Sequence, residues 1–312
     1  MRFGILSGAL WGLDTVILAI AVVMVPFVTS SETSLVSALL HDTVSALILF
    51  VYMVARGRLH DTVRALKTRS GQAVVGAAIL GGPVGMTGYL TAINHIGPGL
   101  TAIISTFYPA VGTLLAYIFL KERMYTHQLM ALMVALGAVI AVGWSTQSAV
   151  EGSPIIGVIG ALACVIGWGS EAAILAWGMR DDAVDNETAL HIRQTTSATV
   201  YLLIVAPLAG VLPFTISAVP HLGTAVIALA ALAGTASYLF YYQAIHVIGA
   251  SRGMALNISY SAWAIIFALL LQGTVPTLLQ SICCVIILVS TVLAATPRWR
   301  DLISRSENVQ QM

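Results

Sequence analysis

The sequence predicts an all-α polytopic membrane protein of ten transmembrane helices, arranged as two inverted five-helix repeats. Three observations predict it. Of 312 residues, 58% are hydrophobic and 9% charged. A soluble domain carries about a quarter charged residues, so this chain cannot clothe itself in a hydrated surface and its solvent must be largely lipid. Its apolar runs reach the roughly 20 residues that a helix needs to cross a bilayer. The second half of the chain also partly repeats the first.

The spanning segments fall at about 3–28, 33–55, 71–95, 99–120, 126–146, 153–179, 187–212, 220–247, 250–272 and 275–296. The first follows Met1 and Arg2 and is too long for a signal-peptide core, with no small-residue cleavage site. Its Gly4, Gly8 and Gly12, four residues apart, allow close approach of a neighbouring helix. The second carries His41 and Asp42 in its outer third. The third contains "GGPVGMTG" (81–88), whose Pro83 should kink it, then Tyr89, and closes on Asn94 and His95. The fourth carries Ser105 and Tyr108. The fifth is bracketed by Tyr125 and Trp144, placed for an interfacial belt, as is Trp299 after the tenth. The sixth contains Trp168 and Glu171, and the seventh Arg193. The eighth carries Tyr238, Tyr241 and Tyr242, and the ninth Asn257, Tyr260 and Trp263. Cys164, Cys283 and Cys284 lie in apolar runs and read as small core residues.

Charge sets the orientation. Thirteen of the fourteen basic residues flank the segment ends on one side: Arg2, Arg56, Arg58, Arg64, Lys67, Arg69, Lys121, Arg123, Arg180, Arg252, Arg298, Arg300 and Arg305. The loops on the other side have none, so the positive-inside rule places both termini in the cytoplasm. The exception, Arg193, lies inside the seventh segment. Net charge is only +1, and no nucleic-acid partner is expected. No P-loop, dinucleotide, zinc-protease or paired-cysteine motif is present. ATP-driven transport and metal catalysis therefore lack support, and neither a cofactor nor an enzymatic activity is expected.

Shifted by 152 residues, "HDTVSA" (41–46) falls on "RQTTSA" (193–198) and "TAINHIG" (91–97) on "QAIHVIG" (243–249). Tyr89 falls on Tyr241 and Tyr108 on Tyr260. Near the start the shift becomes 157, and "WGLD" (11–14) falls on "WGSE" (168–171). Five helices per copy is an odd number, so the second copy enters the membrane upside down, the organisation of carriers that alternate access around a central site. The expected units are residues 1–147, residues 153–296 and a cytoplasmic tail, 297–312.

The matched positions are polar or aromatic, as expected of a bundle interior rather than a lipid face. Trp168 and Glu171, like Trp11 and Asp14, are three apart and share a helix face. Rings plus an acid suggest a cation site, since a ring face attracts a positive group by about 0.5–2 kcal/mol. A mid-membrane acid costs about 2.5–3.5 kcal/mol on insertion scales. Two readings of Glu171 stand: counter-charge to a bound cation, or structural ion pair with Arg193. His41, Asp42, Asp14, Glu171 and Arg193 are candidates for proton coupling, against simple hydrogen bonding within the bundle.

Ten helices in two inverted halves with one basic side resemble the drug/metabolite transporter superfamily, with its paired EamA-type repeats. The stretches "GILSGALWG" (4–12), "HDTVSALIL" (41–49), "GGPVGMTGYLTAINHIG" (81–97), "YPAVGTLLAYIFLKE" (108–122), "GWGSE" (167–171), "IRQTTS" (192–197) and "ALNISYSAW" (255–263) narrow the resemblance to the bacterial LicB-type choline permeases. That resemblance implies proton-driven uptake of choline or a related quaternary amine across the bacterial inner membrane. It implies an aromatic cage from Trp11, Tyr108, Trp168, Tyr238, Tyr242, Tyr260 and Trp263, with Glu171 as counter-charge. It also implies a polar amide near Gly88 or Tyr89, where this chain reads "MTGY". Tyr89, Tyr241 and Asn257 complete the candidate substrate site. The alternative in the same superfamily is an exporter of amino acids or amphipathic amines, in which Arg193 would face a substrate carboxylate.

Overall fold

A computed structural model describes residues 1–30, 32–145 and 152–299, and of Pro98 the backbone only. Most of the expected 297–312 tail lies outside the described residues. The described chain is helical, with spans α1 (Arg2–Val22), α2 (Thr33–Ala55), α3 (Arg69–Gly97), α4 (Gly99–Leu120), α5 (Thr126–Ser145), α6 (Pro154–Gly178), α8 (Leu222–Ile248), α9 (Ala250–Gln272) and α10 (Leu278–Ala295). Between α6 and α8, α7 (Asn186–Ala209) carries the tenth crossing. The sequence suggests one continuous seventh helix to 212. Instead Gly210 turns left-handed (φ 72°), and the short helix Leu212–Ala218 leaves at 117°. Pro213 at the start of that helix and the φ that Gly210 alone tolerates cheaply account for the corner.

The repeat is written into the packing. α1 lies along α8 as α6 lies along α3, α1 meets α9 as α6 meets α4, and α2 meets α8 as α7 meets α3. Among the described residues the positive-φ positions also pair between halves: Gly57 with Gly210, Gly97 with Gly249, and Lys121 with Gly273, spaced 152 or 153 residues apart. Gly97 (φ 78°, ψ 163°) and Gly249 (φ 87°, ψ 164°) share a backbone region that is essentially closed to other residues. They make the corners between α3 and α4 and between α8 and α9.

The glycines of α1 meet α9, as their spacing suggests. A Cβ on Gly12 would lie 2.6 Å from Trp263 Cβ and 2.9 Å from the Tyr260 carbonyl. Its repeat mate Gly169 likewise faces α4, 2.8 Å from the Tyr108 carbonyl. Large apolar side chains such as Leu47, Val51, Met130, Ile155 and Leu208 are exposed along the flanks. In water this would be one continuous adhesive patch; in a bilayer it is the solvated surface. Trp144, Tyr125 and Trp299 are exposed too, as suits interfacial positions.

Two spans are discontinuous, and these position the centre. α4 breaks at Thr106–Phe107 and restarts at Tyr108, with Pro109 in the first turn. α9 breaks at the matching Ile258–Ser259 and restarts at Tyr260. The repeat-related tyrosines Tyr108 and Tyr260 therefore each open a half-helix in mid-membrane.

Candidate functional site

The centre is built from α1, α4, α6, α8 and α9. Trp11, Tyr108, Trp168, Glu171, Ala172, Tyr238, Tyr241 and Asn257 line a common cavity. Their rings interlock: Trp168 contacts Trp11 edge-on (6.0 Å between centroids) and Tyr108 edge-on (5.8 Å), and Trp11 also meets Tyr238 (6.3 Å). Behind them Tyr260 stacks on Trp11 at 4.5 Å and Tyr89 leans on Trp168 at 5.4 Å. The free volume inside is about 20 Å³, enough for one water-sized guest, so a larger ligand must part the rings. The wider opening, about 470 Å³ between α3, α6 and α7, is lined by aliphatic side chains, Thr87 and Thr91 and offers no charge to recognise an ion.

Of the ring candidates, Trp263 lies apart from this arrangement. Its ring meets Phe267 (6.3 Å), and its Cβ packs against Gly12. Steps of three residues each fall about 60° short of a full turn, and α9 breaks between Asn257 and Tyr260. Equal spacing along the sequence therefore did not keep all three residues on one face.

Glu171 is buried, and its partner is Arg193, whose Nε donates to Oε1 at 2.9 Å. Tyr242 donates its hydroxyl to the same oxygen at 3.4 Å. Arg193 is itself fully buried. Its Nη2 donates to Tyr238 Oη at 3.2 Å with the guanidinium 4.7 Å from that ring's centre, and its Nη1 donates to Gln194 Oε1. The structural ion pair is thus formed. It joins the cage through Tyr238 and Tyr242, so the two readings of Glu171 share one set of atoms.

The pair continues into a chain of charge. Arg193 Nη1 lies 3.8 Å from Asp42 Oδ2, which also accepts from Ser197 Oγ. Asp42 Oδ1 lies 3.6 Å from His41 Nδ1, and His41 Nε2 lies 3.1 Å from Asp14 Oδ1. All five proton-coupling candidates are therefore connected, from α1 through α2 and α7 to α6.

Several contributors carry weak sequence signals. Asn257 accepts from Tyr108 Oη at 3.0 Å and donates to Ser7 Oγ at 2.8 Å, and the Ser7 carbonyl accepts from Ser237 Oγ at 2.8 Å. Isolated serines in apolar helices do not announce such roles. Gly81 and Gly82 had more to show. The Gly81 carbonyl accepts from Trp168 Nε1 at 3.0 Å. A Cβ on Gly81 would collide with Glu171, and one on Gly82 with Ser197. Around Pro83 the helix opens into a π-turn (Leu80–Val84) inside one span. His95 Nδ1, at the end of α3, accepts from the Ser153 N–H, a loop contact as its position implies. Among the described residues no three His, Cys, Asp or Glu side chains gather as a metal site.

On the face carrying most of the basic residues, Arg58 pairs with Asp61 (2.8 Å) and Asp185 (2.6 Å) and with Glu187, tying α2 to the start of α7. Glu122 accepts from the Ala250 and Ser251 N–H groups, 3.1 Å each, at the head of α9.

Ten crossings in inverted halves, two broken helices and a buried aromatic and ionic centre define a polytopic membrane carrier. The chain belongs to the EamA-like transporter family, whose model matches residues 2–144 and again 155–296. It is 33% identical over 194 residues to Protein LicB of Haemophilus influenzae, a match covering 61% of this chain and 63% of that relative; it thus spans less than two thirds of the relative's length. A solved crystal structure has the same fold, with a TM-score of 0.70 over 94% of this chain and 95% of the other at 17% identity.

Proposed function

We propose that this protein is a secondary active transporter that imports choline or a related quaternary ammonium compound by alternating access, coupled to protons. It resides in the bacterial inner membrane with both termini in the cytoplasm. The observation that carries this reading is the ring cluster of Trp11, Tyr108, Trp168, Tyr238 and Tyr241 around one carboxylate, Glu171. A quaternary ammonium cannot donate hydrogen bonds, so ring faces and a nearby negative charge are the chemistry that recognises it. The broken helices suit such a site, because half-helix ends supply backbone dipoles at the midplane. The guest competes with Arg193 for Glu171, and the guanidinium has Asp42, Gln194 and Tyr238 to retain it when displaced. These partners also weigh against the amino-acid exporter, in which Arg193 would have to be free for a substrate carboxylate. Rocking of the two halves would open the cage to each side in turn.

Calorimetry on the purified protein with choline, betaine, carnitine, an aromatic amino acid and a polyamine tests the reading, with Glu171→Gln alongside. Choline binding that the substitution abolishes is the expected result. Binding of the amino acid instead would favour export, with Arg193 as recognition residue. Uptake into vesicles that ignored an imposed proton gradient would remove the proton coupling.

A further inference from the structure

The packing sorts the central helices into two bundles that cut across the repeat. α1 packs on α8 and α9, and α2 on α8; in the other bundle α6 packs on α3 and α4, and α7 on α3. Where the bundles face each other, α2 meets α7 and α4 meets α9. The repeat exchanges the partners of each seam, so it maps one end of a seam onto its other end. The two membrane faces can therefore be compared residue by residue.

At the basic end of the first seam, Arg58 reaches Asp185 (2.6 Å) and Glu187 at the head of α7, and Tyr52 of α2 donates to Glu187 Oε1 at 2.8 Å. At the basic end of the second, Glu122 accepts from the Ala250 and Ser251 N–H groups (3.1 Å each) and from the Ser251 hydroxyl (3.0 Å) at the head of α9. The opposite ends carry different chemistry. Counted from the paired corners Gly57 and Gly210, Arg58 falls on Val211; Asp185 and Glu187 fall on Thr33 and Leu35. Glu122 falls on Thr274, and Ala250 on Pro98, which has no N–H to give. Val211 is buried in an apolar cluster with Phe27 and Val36, and Leu35 packs against it. Charge fastens both seams at the basic face, and none of the image positions carries one.

We propose that Arg58 and Glu122 are two latches that together hold the cytoplasmic side of the carrier shut, and that the bundles part on that side when both let go. This deepens the alternating-access reading given above and rests on its orientation.

Each latch joins one bundle to the other. Inward from Arg58 the first seam runs past Leu49 of α2 and Leu190 of α7, both buried, to Asp42 and Arg193, so parting it exposes the route to the central ion pair. The chemistry suits a closure that must open and reclose. Separated charges are taken up by water, so the net cost of parting such pairs is small, whereas parted apolar surfaces are penalised by it. The latches share no side chain, yet they hold the same two bodies. Loss of either one therefore frees both seams at that face.

The test is amide hydrogen exchange, read by mass spectrometry on the ligand-free full chain in detergent, where the rate at a protected amide follows the population of the open form. The variants are Arg58→Gln and Glu122→Ala, each measured at the latch it leaves intact. In Arg58→Gln the head of α9 should exchange about fivefold faster than in wild type, the upper worth of one exposed ion pair. In Glu122→Ala the head of α7 should do the same. Segments at the opposite face, 32–36 and 208–214, should exchange no faster in either variant. Faster exchange confined to the helix that lost its own tie overturns the proposal, as does unchanged exchange or a rise at both faces. If one variant does not fold, the other carries the test alone. No substrate enters the measurement. If choline fails to bind, the substrate reading falls while the exchange pattern still decides the latches, and a failed latch leaves the cation site standing.

Discussion

Gly81 is a position where one methyl group should strike the central ion pair directly. A Cβ there would stand inside the contact shell of the Glu171 carboxyl group and 2.9 Å from Glu171 Cβ. Ordinary carbon contacts begin near 3.4 Å, so α3 and α6 must separate by about half an ångström even if the carboxylate swings clear. Cβ is fixed to the backbone and cannot swing. Overpacking of this kind costs about 1–3 kcal/mol. If Glu171 rotates away it also gives up its bond to Arg193, which keeps only Asp42, Gln194 and Tyr238, and a hydrogen bond to a charged group is worth about 1.5–3 kcal/mol. The Trp168 bond to the Gly81 carbonyl stretches in the same movement. Gly81→Ala should therefore melt well below wild type in detergent and bind choline about tenfold or more weakly, the equivalent of 1.4 kcal/mol. Gly76→Ala on the same span, where a Cβ meets nothing within 4 Å, is the control and should melt at or above wild type. If Gly81→Ala melts and binds like wild type, the close packing of α3 on Glu171 is refuted.

Other outcomes follow from the same geometry. Trp168→Ala should weaken choline binding by about 1–3 kcal/mol, whereas Trp263→Ala, outside the ring cluster, should leave it unchanged; unchanged affinity in a folded Trp168→Ala protein would put that ring outside the site. Gly97→Ala and Gly249→Ala should each cost about 1–3 kcal/mol in thermal stability, because the new side chain enters a positive-φ, extended region nearly confined to glycine. At Gly249 the added Cβ would also lie 2.9 Å from Glu122. At Asp185, burial would push the carboxyl up, but the Thr188 N–H and the Arg58 guanidinium outweigh it and hold it below the usual carboxylate range. Its stabilisation is present above the unfolded value of about 3.9 and is lost as pH falls through the lower native value. Asp185→Asn should cost up to about 1 kcal/mol at neutral pH and nothing at the acid end, measured by unfolding at several pH values.

Much of this protein can be read without coordinates, for a physical reason. Lipid offers no hydrogen bonds, so a crossing segment must be helical and apolar over a set length, and residues that violate the pattern are conspicuous. Glu171 and Arg193 stand out on those grounds, and the repeat links Trp11 to Trp168 and Tyr108 to Tyr260. Even the corner glycines are foreshadowed, since "TAINHIG" and "QAIHVIG" end on Gly97 and Gly249. Tertiary structure alone decided how these residues meet. The breaks at Thr106–Phe107 and Ile258–Ser259 lie inside segments long and apolar enough to read as single spans, and hydropathy registers length and polarity, not where a backbone turns. Trp263 has the same spacing and chemistry as its neighbours yet packs on Gly12, because helix phase is set by what the helix rests against. The joining of Asp14, His41, Asp42, Arg193 and Glu171 into one chain needs four helices to converge. Composition dictates that each charge must find a partner in the bundle; only the packing of α1, α2, α6 and α7 determines which partner it finds.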